Sequence, residues 1–158
     1  MKNKFIQFIA LFLLMLITGV FWGTWFTLTR SIESFSSAEF LHIGKVIIAN
    51  VAGPMRLIMP AGIIFILLSV LFSKDKKSNG FYLAVSSFAL IIVVLLITLI
   101  VLVPIDNDIK QWSASTVPEN WELIRDKWKA FHALRTFASI GSFVCFSLFI
   151  LVEKGKIR

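Results

Sequence analysis

The chain is expected to be all-α, a membrane-spanning four-helix bundle with a polar outer loop and a long fourth helix that projects beyond the membrane. Three observations predict this. Hydrophobic residues make up 58% of the sequence and charged residues only 16%, against about 25% charged in a soluble domain. The apolar residues fall in long uncharged runs of the kind that cross a bilayer. The stretch Trp121–Arg135 (WELIRDKWKAFHALR) continues without a break into the last of those runs. One domain over residues 1–158 is expected, with spans near 5–28, 49–72, 81–103 and 133–152.

Met1–Lys4 is a short basic head, and Phe5–Leu28 carries no charge. That run is long enough for a hydrocarbon core of about 30 Å. It exceeds the apolar centre of a secretory signal and shows no small-residue cleavage site, so an uncleaved first span is expected. In the mixed segment Arg30–Lys45, Ser36 or Ser37 suits the cap of a helix beginning near Ala38. The uncharged run Leu57–Phe72 reaches only about 24 Å at 1.5 Å per residue, too short to span. The second span is therefore expected to start near Ala49 and to carry Arg56 to the membrane edge or within it. Pro54 and Pro60 lie inside it and are expected to kink it.

Ser73–Gly80 (SKDKKSNG) reads as a basic turn, and Phe81–Val103 as the cleanest span. Pro104 is expected to end that span and to open a polar loop to Asn120. Thr116 and Glu119 have capping-box spacing, with Pro118 in the first turn, so the last helix is expected to begin there and to run to about Val152. Its uncharged part, Phe137–Val152, is again too short. Arg135, with His132, is thereby drawn to the membrane edge, where an ionisable residue is a candidate functional group.

Short segments hold Lys2, Lys4, Lys74, Lys76, Lys77, Lys154, Lys156 and Arg158 on one side of the spans. The opposite segments also hold eight, so the count ties; the density of the first eight, with Arg56, Arg125 and Arg135 assigned to the site face, leads to the expectation of both termini in the cytoplasm and a cell-membrane location. The net charge of +7 is thus mostly membrane flank, and nucleic acid is not an expected partner. The lone Cys145 excludes an intramolecular disulfide, a CxxC pair and a zinc-ligand set. There is no Gly-rich phosphate loop and no HExxH. No span holds the deep carboxylate that a multidrug exchanger would want.

On a helix, Arg125, Trp128, His132 and Arg135 fall at roughly +40°, −20°, +20° and −40° from Trp121. Such a stripe belongs inside a bundle, because helices in lipid hide their polar side. It reads as the wall of an aromatic-lined polar site at one membrane face. His132 suits a proton acceptor, since imidazole titrates near neutrality. Arg125, Arg135 and Arg56 suit an anion formed in the site, because guanidinium stays charged and binds oxygen anions in bidentate fashion. Paired with Glu39, Asp106, Asp108 or Glu122, the same arginines would instead be structural. All five tryptophans map to the outer half, whereas an anchoring belt would occupy both interfaces. Asn107 is either a turn residue or an amide aimed into the pocket. His42, the other histidine, maps to the same side. The two imidazoles on separate helices leave haem ligation open as an alternative.

Pro104, Asn107, Trp112, Pro118, Trp121, Arg125, Trp128, His132 and Arg135-Thr136 occur in that order. This pattern resembles a family of small four-span membrane proteins that includes the fungal anthrone oxygenases. The resemblance is most specific over Pro104–Thr136. It implies oxidation of a flat phenolic anthrone to a quinone by O₂, without metal or flavin. On this chain it implies that His132 takes a proton from the activated ring carbon. Arg125 and Arg135 would stabilise the enolate, and Trp121 and Trp128 would hold the rings. Trp112, Asn107, His42 and Arg56 complete the candidate binding set. The competing expectations are a haem- or quinone-binding electron carrier, and a non-catalytic membrane subunit that uses the stripe as a contact surface. Expected partners are the lipid bilayer and a small hydrophobic aromatic molecule; a homo-oligomer is compatible with either.

Overall fold

The computed structural model describes residues 2–155. The basic tail residues Lys156 and Arg158, counted above toward orientation, lie outside the described residues. Five helices form a four-rod bundle: α1 (Lys2–Thr27), α2 (Ser37–Leu71), α3 (Asn79–Ile97), α4 (Val103–Gln111) and α5 (Trp121–Gly155). A 3₁₀ turn, Thr29–Ser34, follows α1, and one π turn, Thr98–Leu102, joins α3 to α4 into a single rod. Each rod packs antiparallel between two neighbours, in the order α1, α2, α3, α5 and back to α1. Among the described residues four helical rods are long and apolar enough to cross a membrane. Their outward faces carry exposed Phe5, Phe8, Leu57, Ile64, Ile100 and Leu151. So continuous an apolar surface is what a lipid-facing rod presents.

α2 begins where the serines suggest. The Ser36 hydroxyl accepts from Glu39 N at 3.4 Å, and Glu39 Oε2 accepts from Ser36 N at 2.8 Å, a reciprocal capping box. From there the helix runs unbroken through Pro54 and Pro60, joining the capped segment to the apolar run. Among the described glycines, Gly62 of α2 leaves the least room beside it, where α1 packs. A Cβ there would stand 2.9 Å from Cδ1 of Ile17.

Pro104 does not end the third rod. The π turn Thr98–Leu102 directly precedes it, and the rod continues through Pro104 into α4, the wider turn accommodating the proline ring and its missing N–H. What reads as loop, Pro104–Gln111, is helix and continues into the bundle. Its last carbonyl turn is closed from α2, where Lys45 Nζ donates to Trp112 O at 2.6 Å. The polar loop is the shorter stretch Trp112–Asn120. Thr116 Oγ1 there accepts from Ser113 N at 2.8 Å, and α5 starts at Trp121.

The core has two parts. Leu14, Ile17, Phe21, Met59, Ile66, Ile91, Val94, Phe146 and Phe149 fill the end near the Ser73–Ser78 turn. Ile32, Phe40, Ile48, Leu102, Ile105, Ile109 and Trp128 fill the tryptophan-bearing end. Along α5 a buried stripe of small hydroxyl residues, Thr136, Ser139 and Ser142, lets its neighbours approach. Ser142 Oγ donates to Ser87 O of α3 at 2.9 Å, and Thr136 Oγ1 donates to His132 O at 2.7 Å.

Candidate functional site

A cavity of about 640 Å³ lies between the two core clusters. All four rods wall it: Phe21 and Thr24 from α1, residues between Ile47 and Pro60 from α2, residues between Leu95 and Lys110 from the third rod, and Trp128, His132 and Arg135 from α5. The walls are mainly aliphatic and aromatic, with a few converging polar groups. That is the make-up of a small-molecule site, and the volume falls within the roughly 300–1,000 Å³ such sites occupy.

The α5 residues reach it because the helix is unbroken from the loop into the bundle, so its one-face spacing is preserved. Trp128 is fully buried, edge-on to Phe40 at 6.1 Å between centroids, with its ring 3.9 Å from that of His132. Its indole Nε1 donates to Asp106 Oδ1 at 2.8 Å, tying α5 to α4. Arg135 Nη2 donates to His132 Nδ1 at 3.1 Å, and Nη1 makes a long 3.5 Å contact to Thr98 Oγ1 in the π turn. The guanidinium carbon sits 4.1 Å from the centroid of the Phe21 ring, a cation–π contact that covers one face. Among the described residues no hydrogen-bond partner meets Arg135 Nε, although the residue is only 7% exposed. Among the described residues no carboxylate ion-pairs with it. A buried cation with an idle donor costs free energy unless something enters to take the bond.

The expected site residues divide in two. Trp128, His132, Arg135, Asn107 and Arg56 meet at the cavity. Trp121, Arg125, Trp112 and His42 do not line it. Arg125 is buried higher on α5, its Nε on Asp126 Oδ1 at 2.9 Å and its guanidinium 5.1 Å from the Trp121 ring centroid. Trp121 and Trp112 pack against the tryptophan-end core. His42 is exposed, because Phe40, Leu41, Gly44 and Ile48 take the inward face of α2 and turn position 42 outward. Pairing of His42 with His132 about one haem finds no support in this placement. Among the described residues no three His, Cys, Asp or Glu side chains gather as a metal-ligand group.

Sequence reasoning gave Asp106 and Lys110 no site role, yet both face the cavity. The signal was present in part. Asp106, Asn107 and Lys110 sit at helical spacing, but reading Pro104 as a stop hid the helix that carries them. Asn107 Oδ1 accepts from Lys110 Nζ at 3.2 Å at the rim. With Arg135, Arg56 and Lys110 against the single carboxylate of Asp106, the lining is net cationic. Such a chamber favours a ligand that carries, or develops, negative charge on oxygen.

A family model described as anthrone oxygenase matches residues 49–145. No curated protein and no solved structure matches the chain. The matched region runs from α2 to α5 and contains every cavity residue of the third rod and of α5.

Proposed function

This chain belongs to the anthrone oxygenase family, and on that premise we propose that it oxidises a flat hydrophobic aromatic ketone with O₂ inside the cavity. The orientation follows the cation density of the sequence, with both termini in the cytoplasm and the cavity toward the exterior face of the cell membrane. The observation that carries the reading is the Arg135 guanidinium. It is buried, has an unused Nε, makes no contact ion pair with a carboxylate among the described residues, with Asp106 acting on it only through space, and sits beside Trp128 and His132 on the cavity wall. A neutral ketone brings an oxygen to that donor. Loss of a proton from the activated ring carbon then leaves its electron pair delocalised onto the same oxygen, where the guanidinium stabilises it most. Stabilisation that grows with the developing charge is what accelerates a reaction.

The resulting carbanion is electron-rich and reacts with O₂ directly. One electron passes to O₂, the radical pair combines, and a carbon–oxygen bond forms. Loss of the second ring proton with cleavage of the O–O bond gives the new carbonyl and one water. The two hydrogens of the CH₂ group leave with one oxygen atom, so no further reductant is required. Aromatic walls at Trp128, Phe21 and His132 supply faces for fused rings.

The test is oxygen consumption. Purified protein in lipid nanodiscs, given an anthrone, consumes O₂ above the uncatalysed rate and forms the quinone. His132→Ala loses that acceleration. Turnover in the variant equal to wild type would remove His132 from the site, and no acceleration by the wild-type protein would remove the reading.

A further inference from the structure

A reaction that starts by removing a ring proton needs an acceptor with a free lone pair at the cavity wall. The arginines and Lys110 offer only donors. The Asn107 amide oxygen is a very weak base and already holds Lys110. His132 is the obvious candidate, but its Nδ1 receives Arg135 Nη2 at 3.1 Å. An arginine N–H cannot accept, so Nδ1 must be the unprotonated nitrogen and the ring proton of a neutral imidazole lies on Nε2. In this arrangement His132 presents an N–H to its surroundings.

The geometry points instead to Asp106 as the proton acceptor, with His132 and Arg135 as the donors that receive the developing charge. This rests on the oxygenase reading above. Asp106 is the carboxylate among the cavity-lining residues. Its Oδ1 accepts from the indole of Trp128 at 2.8 Å, which fixes the group, and among the described residues no donor is bonded to Oδ2 and no cation ion-pairs with it. One oxygen is held and the other is free. Trp128 is then a positioning residue for the carboxylate as well as a wall for the rings.

The same carboxylate closes the proton balance. Oδ2 takes the first proton from the ring carbon, and the C–H electron pair moves onto the ketone oxygen opposite His132 Nε2 and Arg135 Nε. After the carbon has bonded to O₂, the carboxylic acid returns that proton to the terminal peroxide oxygen. It takes the second ring proton as the C=O forms and the O–O bond breaks, and hands it to the departing hydroxide as water. Asp106 ends as it began.

Proton transfer can be read apart from oxidation. An anthrone deuterated at its CH₂ group is incubated anaerobically with the nanodisc-embedded full chain, and loss of deuterium is followed by mass spectrometry. Wild type accelerates the exchange. Asp106→Asn keeps an oxygen for the Trp128 indole and is expected to lose about 100-fold of that acceleration, the low end for a general base. Anthraquinone binding, read by tryptophan quenching, stays unchanged. His132→Gln, which keeps a donor to the ketone oxygen, loses less of the exchange than Asp106→Asn does, and a larger loss in His132→Gln overturns the assignment. Should Asp106→Asn not fold, Asp106→Glu carries the test. Retained exchange supports the assignment, and full loss with anthraquinone still bound overturns it. Wild-type exchange in Asp106→Asn overturns the assignment while leaving the oxygenase reading intact. A wild-type protein that binds anthrone but neither exchanges deuterium nor consumes O₂ removes both.

Discussion

Arg135 and His132 are joined through the guanidinium Nη2 and the imidazole Nδ1, one turn apart on α5 and both on the cavity wall. A donor-only group on Nδ1 fixes the tautomer of its partner. Nitrogen-15 spectra of histidine-labelled protein should therefore show His132 with its proton on Nε2. Arg135→Gln should relax the ring to a mixture, because an amide can donate or accept. A wild-type spectrum with the proton on Nδ1 would contradict the bond.

Arg135 and Arg125 look alike in sequence and differ in surroundings. Arg135→Gln removes the cation over the cavity, and kcat should fall by about 10²–10³, the usual cost of losing one donor to a developing oxyanion. Arg125 is engaged with Asp126 and Trp121 outside the cavity. Arg125→Gln should lower the melting temperature and leave kcat/KM unchanged. Equal kinetic losses in both variants would mean that the cavity is not where the charge develops.

Trp128→Phe keeps a ring on the wall and deletes the N–H that holds Asp106. A hydrogen bond to a charged partner contributes about 1.5–3 kcal/mol. The variant should lose stability of that order in detergent unfolding. Its kcat should also fall more than its KM rises, since the carboxylate swings free while the aromatic face remains. A change in KM alone would limit Trp128 to ring contact.

Much of this arrangement is legible in the sequence wherever a single helix carries it. Trp128, His132 and Arg135 share a face by spacing alone, and α5 is unbroken, so their convergence follows. The same spacing places Trp121 and Arg125 on that face, but it is silent on what the other elements fill. Phe40 and the 3₁₀ turn residue Ile32 reach the core at that height, and the cavity lies one turn deeper. His42 is decided by the phase of α2, which depends on which side of Phe40 and Leu41 meets the bundle. Asp106 was hidden by Pro104. A proline that a helical rod runs through and one after its end read alike in sequence. Only the π turn in front of it, an effect of packing, separates the two.

Gly62 tests the packing that frames the cavity from below. Gly62→Val would drive side-chain carbons into Ile17 and Leu13, which face it from α1. Overpacking of this kind costs about 1–3 kcal/mol. Thermal unfolding should show a clear loss for Gly62→Val and a smaller one for Gly62→Ala, where turning the terminal methyl of Ile17 is enough. Equal stability of all three proteins would mean α1 and α2 are farther apart.

The most direct measurement is an experimental structure of the nanodisc-embedded protein with anthraquinone bound. The fused rings should lie against Trp128 inside the cavity, with one carbonyl oxygen within hydrogen-bond reach of Arg135 Nε or His132 Nε2 and the second carbonyl, at the former CH₂ position, on the Asp106 side. An empty cavity at saturating ligand, or rings bound with the Arg135 guanidinium turned to Asp106 in a closed ion pair, would contradict it.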